Sequence, residues 1–192
     1  FVLILKPMDR KVTIITGPIG SGKSTVLSVL SELGYETADL DKISNQILVS
    51  NESYEFLLKN FPNSIKDGNV VKENIAKIVF SNKEKLNKLE EFLHPKILNK
   101  LNEIINKSKG QLFVEVSAPK KIYKDFNTIV IWASKNERIE RLASRGMNKE
   151  DIDNRIETQP NDEWWLSLGE VIENDYREDL KEKIINLISN HE

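Results

Sequence analysis

Val12-Thr13-Ile14-Ile15-Thr16-Gly17-Pro18-Ile19-Gly20-Ser21-Gly22-Lys23-Ser24-Thr25 passes from an apolar, β-branched run into a glycine-rich turn that closes on a lysine and a serine. The first five residues have the composition of a strand buried on both faces, and residues 23–33 carry helical apolar spacing that stops at Gly34. A strand, a turn of the form G-x-x-x-x-G-K-[ST] and a helix, in that order, make a phosphate-binding loop. Glycines let the backbone turn its N–H groups around phosphate oxygens, and the following helix brings its positive end to the same charge. The pattern places a nucleotide triphosphate, expected to be ATP, on Gly17, Ile19, Gly20, Ser21, Gly22, Lys23 and Ser24, and the adjoining Thr25 is taken with them. Lys23 is expected to reach the β- and γ-phosphates, and Ser24 to offer its hydroxyl to Mg2+. Such loops also serve switches and motors, so the motif leaves the acceptor open.

Two more apolar runs, 112–116 and 128–133, read as buried parallel strands, and weaker runs at 36–40 and 170–174 complete five. Helical patterns cover 86–106, 137–144, 151–158 and 177–189, with Asn148 set as an N-cap and Asp151 as its acidic partner three residues on. Alternating strands and helices predict an α/β, three-layer fold around a five-stranded parallel sheet. The gap before residue 110 is too long for a simple crossover, and its Leu86, Leu89, Leu93, Ile97, Leu101 and Ile104 recur at helical intervals. It reads as a helical insert at about 43–109, and a second, polar and basic excursion with helical pattern spans about 138–166. The rest, about 9–42, 110–137 and 167–192, forms the core of a single domain spanning 1–192.

The 192 residues are 39% apolar and 30% charged, a globular balance. A formal charge of −2, from 28 basic and 30 acidic side chains, gives no global field for nucleic acid or an anionic membrane, so any polyanion must be held locally. The absence of cysteine removes disulfides, thiolate metal sites and thiol catalysis together, which fits a reducing cytoplasm. The opening Phe1-Val2-Leu3-Ile4-Leu5 is too short to span a membrane and lacks a secretory leader's features; Met8 is a candidate natural start, and residues 1–8 are set aside. The oligomeric state is open, with a monomer favoured.

Asp39-Leu40-Asp41 ends the second predicted strand, and period-two alternation would put both carboxylates on one face, at the sheet end where ligands bind. One of them, Asp41, is placed to accept the proton of an acceptor hydroxyl; the alternative is an acidic turn or helix cap. Arg138, Arg141 and Arg145 would share one helix face, either aimed at phosphate or solvated beside Glu137 and Glu140. Arg155 and Gln159, four residues apart, could bind ligand or hold the 138–166 excursion to the core. Trp164-Trp165 could stack on adenine or pack at a hinge, and carries no catalytic assignment.

Thr16 to Thr25, Asp39-Leu40-Asp41, Leu93-His94-Pro95, the arginines at 138, 141 and 145, Arg155-Ile156 with Gln159, and Val171-Ile172-Glu173-Asn174 together resemble the signature blocks of dephospho-coenzyme A kinases, in their order and intervals. The resemblance runs from about Lys11 to the last helix. It implies transfer of the ATP γ-phosphate to the ribose 3′-hydroxyl of dephospho-coenzyme A, by a P-loop core with an acceptor domain and a lid. It makes Asp41, Lys23 and Arg141 catalytic and adds Arg145 and Asn174 to the ATP site. Asp39, Asp41, Lys72, His94 and Arg155 take the acceptor side. By itself, His94 before Pro95 could equally be a kink or packing histidine, and Asn174 a turn former.

Departures fall on the acceptor side: Asn45 and Lys72 stand where the family commonly has arginine, Ser117-Ala118-Pro119 replaces Pro-Leu-Leu, and Gly169-Glu170 replaces Ala-Asp. Two alternatives therefore stand beside the resemblance. One is a P-loop kinase of another small hydroxylated or nucleotide acceptor, and the other a nucleotide-binding regulatory protein that has lost transfer.

Overall fold

The computed structural model describes residues 12–119, 126–175 and 179–189; the apolar opening stretch, the Met8 start, Lys11 and the first residues of the helix expected from 177 lie outside them. The chain forms two compact units, one running through Asp39 and resuming at Ser108, the other comprising Leu40–Lys107. The first unit contains β1 (Val12–Thr16), α1 (Lys23–Glu32) and β2 (Glu36–Asp39), then β5 (Leu112–Glu115), β6 (Asn127–Trp132), α6 (Lys135–Ser144), α7 (Lys149–Glu157), α8 (Asp162–Leu166), β7 (Glu170–Glu173) and α9 (Leu180–Ser189). The second contains α2 (Leu40–Leu48), α3 (Asn51–Asn60), a hairpin of β3 (Ile65–Lys66) and β4 (Asn69–Val70), α4 (Lys72–Ser81) and α5 (Lys83–Lys107).

In the first unit the sheet order is β2-β5-β1-β6-β7, parallel throughout. Every residue of β1 is buried, as a central strand covered on both faces requires. Ile15, Phe113, Ile129, Ile131 and Ile172 pack on one face against Val26, Leu27 and Leu30 of α1 and Leu180, Ile184, Leu187 and Ile188 of α9. The intervening Val130 turns to the opposite face and meets Trp165 and Leu168. The alternation of β6 thus feeds two helical layers, and burial of each such side chain stabilises by about 1.5–3 kcal/mol. Register sets Asp39 of β2 level with Glu115 of β5, and Glu115 level with Ile15 of β1.

One strand ends earlier than expected. Period-two alternation does not extend to Asp41, because β2 stops at Asp39 and α2 begins at Leu40. Leu40, Ile43 and Ile47 recur at helical spacing, Ile43 is buried, and Asp41 in the first turn complements the helix dipole.

The second unit has its own core of Leu48, Leu57, Phe61, Ile75, Leu89 and Leu93, with Phe56 stacked on Phe92 at 3.8 Å between ring centroids. Only α5 is anticipated by the predicted 86–106 helix; it starts earlier, where Asn82 Oδ1 accepts the Lys85 N–H at 2.9 Å. The hairpin turns at Asp67 and Gly68, both at positive φ, as a tight two-residue turn demands. Among the described residues no helix is long and apolar enough to cross a membrane.

Candidate active site

The phosphate loop joins β1 to α1. Gly22 takes φ +100°, and a Cβ there would lie 2.2 Å from Asn174 Nδ2; Gly17 takes φ +143°, and a Cβ would lie 2.0 Å from the Ile131 carbonyl oxygen. Glycine at these two positions is required by backbone conformation and by space together. Lys23, the first residue of α1, is buried, and its ammonium donates to the carbonyls of Gly17 (2.9 Å) and Pro18 (3.1 Å). Ser24 and Thr25 are exposed at the helix start.

Ser24 Oγ donates to Glu115 Oε1 at 3.3 Å, and Glu115 is buried at the end of β5. With Asp39 level beside it, this makes a set of hard oxygen donors at the C-terminal ends of neighbouring parallel strands. Among the described residues no group of three or more His, Cys, Asp or Glu could hold a metal ion. The set nevertheless fits Mg2+, which commonly takes one or two protein oxygens and fills its octahedron with water and substrate phosphate. Glu115 was not singled out in the sequence; its signal is a lone carboxylate closing an apolar strand.

The C-terminal half of the unit clasps the loop from the other side. Asn174 is buried, and its Nδ2 donates to the Ser21 carbonyl at 2.7 Å. Arg141, also buried, donates to the carbonyls of Ser21 (3.4 Å), Asn174 (2.5 Å) and Asp175 (3.3 Å) and pairs with Glu137 at 3.1 Å. Arg138 is buried against Asp162 at 3.0 Å; burial pulls its pKa below the usual guanidinium range, and the Asp162 charge opposes that. The Gln159 side-chain carbonyl accepts the Ile19 N–H at 2.9 Å. The solvated-face alternative therefore does not describe Arg138 or Arg141, whereas Arg145, the C-cap of α6, is exposed. Asn174 spends one of the two N–H donors of its amide on this bond, and its Oδ1 is buried without a hydrogen-bond partner among the described residues.

Asn148 caps α7 as expected: its Oδ1 accepts the Asp151 N–H at 2.9 Å, and its Nδ2 donates to the Asp151 carboxylate at 2.8 Å. Trp165 is 2% exposed and packs on β6, which decides for packing at that position. Arg155 is exposed in the last turn of α7.

Three acceptor-side candidates lie in the second unit, all exposed: Asp41 in the first turn of α2, Lys72 at the start of α4, and His94 on α5. Exposure removes packing as the explanation for His94. Asn45 Nδ2 donates to the Asp41 backbone carbonyl at 2.9 Å, a contact within its own helix.

A central strand that runs into a clasped phosphate loop, followed by helices that carry buried arginines to that loop, defines a P-loop kinase. The family model described as dephospho-CoA kinase matches residues 12–179. A dephospho-CoA kinase of Fusobacterium nucleatum is 33% identical over 179 residues, covering 88% of this chain and 93% of its own. The crystal structure of TT1252 from Thermus thermophilus superposes with a TM-score of 0.86 at 28% identity, over 93% of this chain and 96% of that one. The dephospho-CoA kinase from Campylobacter jejuni gives a TM-score of 0.69 at 25% identity, over 94% and 96%. This chain belongs to the dephospho-CoA kinase family, a family of ATP-dependent phosphotransferases.

Proposed function

We propose that this chain transfers the γ-phosphate of ATP to the ribose 3′-hydroxyl of dephospho-coenzyme A, giving ADP and coenzyme A in the cytoplasm. The observation that carries the donor half is the loop itself, closed around glycines that tolerate no side chain and ending on buried Lys23. Family membership supports the acceptor half.

In this mechanism Lys23 exchanges the Gly17 and Pro18 carbonyls for β- and γ-phosphate oxygens. Ser24 and Glu115, with Asp39 beside them, would hold Mg2+, whose chemistry is to neutralise charge on the phosphate oxygens. Asp41 orients the acceptor hydroxyl and takes its proton as the new P–O bond forms and the bond to the β-phosphate oxygen breaks. Arg141 holds the loop from behind, and exposed Arg145 is the better candidate for direct contact with the transferring group. Lys72, His94 and Arg155 serve the anionic acceptor. Residues 43–109 act as the acceptor domain and 138–166 as the lid.

The test is coenzyme A formation by the purified protein with Mg·ATP and dephospho-coenzyme A, beside adenosine and nucleoside monophosphates. Because Asn45 supplies no cation and is engaged with Asp41, the panel of acceptors is essential. No product from dephospho-coenzyme A and turnover of another acceptor would overturn the assignment.

A further inference from the structure

Gln159 stands outside the catalytic set, yet its side chain reaches into the phosphate loop. Its Oε1 accepts the N–H of Ile19 at 2.9 Å, across 140 residues of sequence. The turn that presents it is fixed on both sides. Thr158 caps α7 through its N–H to the Asn154 carbonyl, and Asn161 Oδ1 caps α8 by accepting the Trp164 N–H at 3.0 Å. Trp165 then buries α8 against β6, and Asp162 ties its first turn to Arg138. A side chain held on so rigid a mount can set the position of what it binds.

The loop needs such a hold. Gly17, Gly20 and Gly22 all sit at positive φ, and glycine loses more conformational freedom than any other residue on being fixed. Asn174 and Arg141 secure the Ser21 carbonyl. Ahead of it, Lys23 secures the carbonyls of Gly17 and Pro18, but those contacts open when the ammonium turns to phosphate. The Gln159 contact at Ile19 does not have to open at that moment. We propose that Gln159 is a positioning residue for ATP, which keeps the 17–20 arm of the phosphate loop in its binding shape while Lys23 engages the nucleotide.

This rests on the ATP-binding reading of the site. A tether on the loop acts equally before and during transfer, so its loss appears in ATP affinity and not in turnover. Gln159→Met keeps length without a strong acceptor and is expected to raise the Kd and KM for Mg·ATP about three- to tenfold, the scale of one neutral hydrogen bond. The acceptor KM and kcat should stay within about twofold. Hydrogen exchange supplies a readout independent of activity: the Ile19 amide should exchange faster in Gln159→Met and regain protection in Gln159→Glu, which restores an acceptor oxygen. Unchanged Ile19 exchange, or unchanged Mg·ATP affinity in Gln159→Met, would overturn the proposal, as would a lowered melting temperature with ATP affinity intact. A wild-type protein that binds Mg·ATP but phosphorylates no acceptor would sink the activity above and leave these measurements readable.

Discussion

Gly22→Ala tests whether the cradle's shape is what binds nucleotide. At φ +100° an alanine costs about 1–2 kcal/mol in left-handed strain. Its Cβ would also lie 2.2 Å from Asn174 Nδ2, a distance that forces the amide off the Ser21 carbonyl. The displaced bond is buried and worth about 1 kcal/mol. The sum, about 2–3 kcal/mol, corresponds to roughly a 30- to 150-fold loss of Mg·ATP affinity, measurable by titration calorimetry. The two contributions separate in an Asn174→Ala background. There the clashing atom is gone, so Gly22→Ala adds only backbone strain and the double variant falls short of additivity by about 1 kcal/mol. Binding within threefold of wild type in Gly22→Ala, or strict additivity in the double variant, would refute the reasoning.

Asp41→Asn should lower turnover by about two orders of magnitude with Mg·ATP affinity preserved, since it removes a proton acceptor and no nucleotide contact; single-turnover kinetics beside calorimetry check it. Glu115→Gln weakens the oxygen set around Ser24, so the Mg2+ concentration for half-maximal rate should rise several-fold, visible in a magnesium titration at fixed ATP. Asp162→Asn leaves buried Arg138 without its ion pair, but Asp162 is 42% exposed and water recovers part of the loss. A destabilisation of about 1–2 kcal/mol, seen as a fall of several degrees in thermal melting, is expected; an unchanged melting curve would show that the pair contributes nothing.

The phosphate loop and five strands were legible in sequence because local chemistry dictates them: β-branched runs, glycines at fixed intervals, and a lysine at a helix start. The Asn148–Asp151 cap was legible for the same reason, since both partners lie within one turn. Helices α2 and α3 were not, because Leu40, the first apolar position of α2, also fits the end of the strand before it, and α3 follows after two residues with no side-chain cap of the Asn148 kind. The double reading of Leu40 is what put Asp41 at a strand end instead of a helix start. The arginines were found as a group but not sorted. Helical spacing puts them near one another, whereas the burial of Arg138 and Arg141 and the exposure of Arg145 depend on partners far along the chain. Glu115 was missed because one carboxylate at the end of an apolar strand acquires meaning only when Ser24 arrives beside it.

The clasp on the phosphate loop has a consequence for how the protein comes into being. Ser21 and Ile19 are held by Arg141, Gln159 and Asn174, which follow their partners by 120, 140 and 153 residues. During synthesis at about 5–20 residues per second, the loop's letters are therefore complete many seconds before the groups that shape it exist. A chain halted after α5 carries the whole motif, yet lacks the side chains that close it around a triphosphate. Nucleotide affinity is acquired only once the chain has been made through Asn174, and ATP can act as a ligand that selects chains folded through that point over shorter ones.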